Sequence, residues 1–268
     1  MSTQSNLLLE VRDLNMAYQV RKKFYNVLTD INFSLARGEI LAVVGESGTG
    51  KSTLASSILG LYDKDNTAIS GQIKLDGRDR LRFRHDSLNN GLQDQLGVIV
   101  NNPLTILNPF RRIGAELNMV LQHNGINKAS LAKFSAQFLK YVGMPEARSL
   151  LKLFPAELSA ELQQRVAVAL ALMGNPTMIV ADDPTRGFDK IVQAQILNLL
   201  VEYCTEKHAG MIILSQDMGV AAEVADQLAI MYEGQIVEYG SAATIFHNPL
   251  HPYTRRLLNV GRESCCHY

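Results

Sequence analysis

Short unbroken apolar runs and amphipathic stretches take turns along this chain, and their periods separate strands from helices. Ile40-Leu41-Ala42-Val43-Val44, Met178-Ile179-Val180-Ala181 and the run 210–214 carry no polar break. Such short runs fit buried strands of a parallel sheet. Leu7-Leu8-Leu9-Glu10-Val11 reads as a first strand, and Ile31-Asn32-Phe33-Ser34-Leu35 as another, with period-two alternation. Residues 69–75, with Gly71 near the start, and 96–100 add two more, and Asp76-Gly77 is a turn signal. Residues 228–232 and 235–238 flank Glu233-Gly234 and read as a hairpin. Residues 51–61 predict a helix with Leu54, Ile58, Leu59 and Leu61 on its inner side, and 191–206 a second helix. Between Pro103 and about Arg165 the period becomes helical, as in Leu131, Phe134, Phe138, Leu139 and Val142. The order predicts an α/β protein with a helical module inserted into its core.

The chemistry is concentrated where the strand 40–44 meets the helix after it. Gly45-Glu46-Ser47-Gly48-Thr49-Gly50-Lys51-Ser52-Thr53 has the spacing G-x-x-x-x-G-K-[ST]. Strand, glycine loop and helix in that order are the context a phosphate loop needs. Glycines let backbone N–H groups turn inward around a phosphate chain, and the helix N-terminus adds positive potential. Lys51 is placed to neutralise β- and γ-phosphates, and Ser52 to offer its hydroxyl to Mg²⁺. A nucleoside triphosphate is therefore the expected ligand.

Composition narrows the setting. The 268 residues suit one large domain, or a core with a sizeable insert. Lys plus Arg and Asp plus Glu both number 26, so bulk charge points to no nucleic-acid partner. Three cysteines, Cys204, Cys265 and Cys266, do not make a disulfide framework, and a reduced compartment fits them best. Residues 1–6 lack a signal-peptide pattern, and the longest apolar runs, such as 166–173, are far too short to span a bilayer. The chain is expected not to cross a membrane itself, though it could dock on a protein that does. Cys265-Cys266 beside His267 lacks metal-ligand spacing, and His85, His123, His208, His247 and His251 suggest no metal site.

Further segments stand in a telling order. They are Leu158-Ser159-Ala160-Glu161-Leu162, followed by Gln164 and Arg165, then Ile179-Val180-Ala181-Asp182-Asp183-Pro184, Thr185-Arg186-Gly187-Phe188-Asp189 and Ile213-Leu214-Ser215-Gln216-Asp217. With the phosphate loop they make nearly the whole chain resemble the ATP-binding subunit of an ABC transporter. The resemblance implies a RecA-like P-loop core with an antiparallel β subdomain and an inserted α-helical subdomain. It implies one cassette over 1–268, with core in 1–100 and 166–240, helical insert in 101–165 and a short tail in 241–268. It places Tyr18 on adenine, Asn101 at the Q-loop, Asp182 in the Mg²⁺ shell with Ser52 and Asn101, and Asp183 as the base that orients water. Ser159 falls in the LSGGQ signature, Asp189 in the D-loop and Gln216 at the switch histidine. Asn102-Pro103-Leu104-Thr105-Ile106-Leu107-Asn108-Pro109 and Asn248-Pro249-Leu250-His251-Pro252-Tyr253-Thr254 are similar to phrases of oligopeptide, dipeptide and nickel importers. The short tail is reminiscent of the F-type subunit of Sap-like peptide transporters.

The departures from that pattern all bear on hydrolysis. Asp183 replaces glutamate and loses about 1.5 Å of reach. Misaligning a general base costs roughly 10²–10⁴ in rate. Asn101 replaces glutamine, and Gln216 replaces a histidine that could become cationic. Ala160 and Glu161 replace the signature glycines, and Glu161 sets an anion toward phosphate unless it swings away. The expected protein binds ATP and Mg²⁺ and hydrolyses slowly. Its expected partners are membrane-spanning permease subunits and a second, more complete ABC ATPase subunit. It would sit peripherally on the cytoplasmic face of the inner membrane. Two rival expectations are a pseudo-ATPase regulator that binds ATP without effective turnover, and a soluble non-transport ABC protein.

Overall fold

The computed structural model describes residues 6–81 and 95–265, and the backbone alone for 260–265. In chain order the first elements are β1 (Leu7–Val20), β2 (Lys23–Ala36), β3 (Ile40–Val44), α1 (Lys51–Leu59), β4 (Thr67–Leu75), β5 (Arg78–Asp79) and β6 (Leu96–Val100). Helices α2 (Ile113–His123), α3 (Leu131–Tyr141), α4 (Ala147–Leu150) and α5 (Ala160–Met173) follow. Then come β7 (Met178–Asp182), α6 (Lys190–Lys207), β8 (Gly210–Ser215), α7 (Met218–Val224), β9 (Gln227–Tyr232), β10 (Gln235–Ser241), α8 (Ala242–His247) and α9 (Pro252–Cys265). The chain groups into two compact units, one from 1–90 with 204–268 and one from 91–203. The 165/166 boundary expected from the sequence falls inside α5.

The first unit holds two sheets. In one, the antiparallel strands run in the order β2-β1-β4-β5. The β1 and β2 strands are far longer than the five-residue runs that announce them. Their two-residue turn is Arg21-Lys22, with φ of 49° and 66°. Neither residue favours the left-handed region, so the sequence gives no turn signal there. The expected Asp76-Gly77 and Glu233-Gly234 turns do have positive φ at both residues. Midway, Asp13-Leu14-Asn15 and Asp30-Ile31-Asn32 kink the two strands against each other. Asn32 Oδ1 accepts the Asp13 N–H at 2.9 Å, and Asn15 Oδ1 accepts the Asp30 N–H at 3.1 Å. Asp13 and Asp30 take φ of 48° and 51° there, which aspartate tolerates better than most side chains.

In the other sheet β3 lies between parallel β8 and β9, with β10 antiparallel on β9. All five β3 residues are buried, which explains why the run has no polar alternation. Leu54 and Ile58 of α1 are buried as expected. The helix stops at Leu59, because Gly60 turns left-handed and caps it. Leu61 is therefore outside the helix and exposed, contrary to the expected inner face.

The second unit pairs β6 and β7 in parallel, with Val100 opposite Asp182. The α3 stripe that faces inward is Leu131, Ser135 and Leu139, while Phe134 lies exposed. Ser135 is accepted inside because its hydroxyl meets Asn118 Oδ1 at 2.9 Å. Helix α5 is buried along most of its length, and its buried Gln163, Gln164 and Arg165 each donate to backbone carbonyls.

Replacing Arg21-Lys22 with Asn-Gly removes left-handed strain and is expected to stabilise the fold by about 1–2 kcal/mol. A higher thermal unfolding midpoint for the double variant checks this, and an unchanged or lower one refutes it.

Candidate nucleotide-binding site

The phosphate loop emerges where three buried strands end together. Val44 pairs with Ser215 of β8 and Ile230 of β9, so the chain leaves β3 beside both. A Cβ on Gly45 would fall 2.2 Å from the Met231 carbonyl oxygen, so that position admits only glycine. Gly50 has φ 102°, with Met231 and Leu28 side chains against it. At Gly48 a Cβ would find nothing within 4 Å, so the loop is open on that side. Glu46, Ser47 and Gly48 are exposed, while Thr49 is buried with its hydroxyl on the Glu46 carbonyl at 3.0 Å.

Lys51 begins α1 and folds beneath the loop. Its ammonium donates to the carbonyls of Gly45 at 2.7 Å and Glu46 at 2.9 Å, and the residue is buried. Helix α1 has no side-chain cap and no acidic residue in its first turn. Its first N–H groups thus have no side-chain acceptor, and with the Lys51 ammonium close by this end suits an anion. Ser52 is exposed and Thr53 half-buried at this end of the helix. Tyr18 is half-buried on β1, opposite Tyr25 and Thr67. It lies two residues past Met16, whose sulfur accepts the Ser57 hydroxyl of α1 at 2.9 Å. Gln216 is the first residue past β8 and is exposed, while Asp217 caps α7 through the Gly219 N–H at 2.7 Å.

In the second unit the structure brings Asn101, Asp182 and Asp183 together. Asp182 ends β7 opposite Val100, and Asn101 is the next residue after Val100. Asp183 has φ 47°, a conformation that suits aspartate better than glutamate. Its Oδ2 lies 3.9 Å from the Arg186 guanidinium. Gln164, wholly buried, ties this edge together by donating to the carbonyls of Val100 at 3.1 Å and Pro184 at 2.8 Å.

The signature segment caps α5. Ser159 is its N-cap, with Oγ accepting the Leu162 N–H at 3.3 Å. Glu161 is turned back along the helix, where Oε1 accepts from Arg165 Nε at 2.9 Å. Arg165 is buried and also donates to the Val142 carbonyl at 2.9 Å and Gln195 Oε1 at 2.5 Å. The expected clash of Glu161 with phosphate is thus relieved by a cation one turn later. Asp189 caps α6, its Oδ1 accepting the N–H groups of Ile191 at 2.9 Å and Val192 at 3.0 Å. The clamping roles of Gln164 and Arg165 are absent from the sequence reading. Their signal is the polar run Gln163-Gln164-Arg165 at the head of an otherwise apolar buried helix. Among the described residues no group of three His, Cys, Asp or Glu could hold a metal. His85, Cys266 and His267 lie outside the described residues.

A glycine loop between a buried parallel strand and an uncapped helix, with its lysine folded beneath, defines a P-loop nucleotide-binding protein. Residues 28–186 match the family described as ABC transporter. The oligopeptide transport ATP-binding protein OppD of Lactococcus lactis is 42% identical, over 95% of this chain and 76% of that protein. The OppD of Escherichia coli is 39% identical over 96% and 76%, and AmiE of Streptococcus pneumoniae 33% over 97% and 74%. The chain belongs to the ABC transporter family, in the branch of these oligopeptide transport ATP-binding proteins. The fold agrees. The ATP-binding cassette MJ0796, solved as a dimer bound to ADP and Pi, superposes with TM-score 0.78 at 22% identity, over 88% of this chain and 99% of that one.

Replacing Arg165 with Ala leaves the buried Val142 carbonyl without its donor and is expected to cost about 2–4 kcal/mol of stability. Lys at this position cannot reproduce the three-way fork. Chemical denaturation should therefore place both variants well below the parent, and a Lys variant as stable as the parent refutes the clamp.

Proposed function

We propose that this chain is the ATP-binding subunit of a peptide importer, coupling ATP binding and slowed hydrolysis to transport. The observation that carries it is an intact phosphate loop, with Lys51 folded beneath it, in a chain similar over 95% of its length to an oligopeptide transport protein. The open side at Gly48 and the uncapped α1 fit a triphosphate. The amides of residues 47–53 and the Lys51 ammonium would hold it, and Tyr18 would stack on adenine. Ser52, Asp182 and Asn101 would be the residues for Mg²⁺, which would neutralise phosphate charge. Asp183 would orient water, and Gln216 would donate to the γ-phosphate without taking on charge. Ser159 and Asp189 would face the nucleotide of a second cassette.

The partners we infer are a paralogous ATPase with complete motifs and membrane-spanning permease subunits. Among the described residues no helix is long and apolar enough to cross a membrane. Leu104, Ile106 and Phe110 follow Asn101 and are exposed, Phe110 by 90%. An apolar patch there supports docking on a permease at the cytoplasmic face of the inner membrane. A second reading, a regulator that binds ATP without effective turnover, is favoured by the shortened or uncharged side chains at 101, 183 and 216.

The test is ATP turnover by the complex purified with its native membrane partners. Lys51→Ala is expected to lower turnover strongly in an intact complex. Unchanged turnover would assign hydrolysis to the partner and leave the regulatory reading. In the same assay Asp183→Glu is expected to raise turnover by about tenfold to a hundredfold, as the lost reach returns. No gain would show that side-chain length at 183 does not limit the rate.

A further inference from the structure

The phosphate loop is also gripped from the C-terminal side of the chain. After α8, both oxygens of Glu238 accept backbone N–H groups, from Leu250 at 2.8 Å and from His251 at 3.0 Å. Burial would raise the Glu238 carboxyl, but the Leu250 N–H, the Thr254 side chain, the His251 N–H and the His251 charge together hold it below its usual range. Pro252 then opens α9, and Tyr253 in its first turn is buried. The Tyr253 ring packs on Tyr232 at 4.4 Å between centroids, with the planes tilted by 44°. Its hydroxyl accepts the Glu46 N–H at 3.0 Å.

This bond acts on one peptide unit. The Gly45–Glu46 peptide gives its carbonyl to the Lys51 ammonium and its N–H to the Tyr253 hydroxyl. Rotating that peptide would break both bonds at once. Tyr253 therefore fixes the carbonyl that positions Lys51. Arg256, one turn further along α9, reaches the Glu46 side chain, with Nη2 3.1 Å from Oε1. Its guanidinium also lies 5.1 Å from the Tyr253 ring centroid. Glu46 is the acidic residue within the loop, and its carboxylate would repel an incoming polyphosphate. Arg256 offsets that charge. Both partners are more than half exposed, so the effect is modest and screened by salt.

We propose that Tyr253 and Arg256 are positioning residues for the phosphate loop, making nucleotide affinity depend on the docking of α9. The proposal rests on the nucleotide-binding reading of the loop. Tyr253 orients the Gly45–Glu46 peptide and through it Lys51, and Arg256 masks the Glu46 carboxylate. Neither side chain needs to touch the nucleotide.

The experiment is a titration of the purified full chain with trinitrophenyl-ATP and Mg²⁺, with thermal unfolding measured with and without nucleotide. Tyr253→Phe keeps the ring and removes the acceptor, and is expected to weaken binding about threefold to tenfold. It should shrink the nucleotide-induced rise in midpoint more than it lowers the midpoint of the free chain. Arg256→Ala is expected to weaken binding about twofold to fivefold at low salt and less at high salt. Adding Glu46→Gln should restore most of that loss, which a purely packing role for Arg256 would not allow. Parent-like affinity in Tyr253→Phe overturns the proposal for the hydroxyl, and an Arg256→Ala loss that persists beside Glu46→Gln overturns it for the charge. A parent chain that binds no nucleotide removes the nucleotide reading, and this proposal with it. A parent chain that binds, with both variants equal to it, removes this proposal alone.

Discussion

The site depends on one steric fact: Gly45 lies where a Cβ would fall 2.2 Å from the carbonyl oxygen of Met231. The strand β3 has no polar residue with which to end, so its exit is set by the neighbours it runs between. With β9 pressed against the first residue of the loop, the next peptide gives its carbonyl to Lys51 and its N–H to the Tyr253 hydroxyl. The positive φ at Gly48 and Gly50 then brings the loop round to the uncapped end of α1. Loop, lysine and helix terminus thus start from packing around β3, and polar bonds from Lys51 and Tyr253 complete them. Such a cradle is preorganised, and little ordering remains to be done when an anion arrives.

The parts that read clearly in the sequence are those governed by local rules. The glycine spacing announces the loop, the unbroken runs announce the parallel strands, and Asp76-Gly77 and Glu233-Gly234 announce their turns. The parts that do not read clearly are those held by distant partners. The full length of β1 and β2 depends on a turn at Arg21-Lys22, which has no favourable residue and is tolerated because the strands pair on both sides of it. Phe134 fits a helical period yet lies outside, since Asn118 lets Ser135 take the inner place. Leu61 fits the same period and is lost to a glycine cap. At the site, Gln164 and Arg165 are visible as letters, but the carbonyls they serve come from elements far apart in the chain. Nothing local foretells that Tyr253 meets Glu46.

Glu161 illustrates how context changes the meaning of a substitution. As a residue in place of a signature glycine, it adds bulk and charge at a helix N-terminus. In the folded chain Arg165 collects its carboxylate, and Arg165 is itself fixed by Val142 and Gln195. The charge is turned along the helix and away from the position of Ser159, which remains the cap. What is left of the change is shape: a methyl at Ala160 and a tethered side chain beside it. On the proposed function that would alter how closely a second cassette approaches, while the helix dipole stays intact.

The remaining departures share a geometry. Asn101 follows β6, Asp183 follows β7 and Gln216 follows β8, so each stands just past the carboxyl end of a parallel strand, where α/β folds place ligand-facing groups. Their backbone positions come from strand register, and at Asp183 the left-handed φ also favours the shorter side chain. What differs is reach, by one carbon at 101 and 183, and the capacity to become a cation at 216. On the proposed function, binding would draw mainly on backbone amides and the buried Lys51 ammonium. Hydrolysis would draw on the last ångström of side-chain placement, where a loss of roughly 10²–10⁴ corresponds to about 3–5 kcal/mol of barrier. A chain built this way, on the proposed function, keeps nearly all the free energy available from closing on ATP and gives up the speed of the chemical step. Its contribution to a transport cycle would then be set by how long it stays closed and by the partner that completes its site.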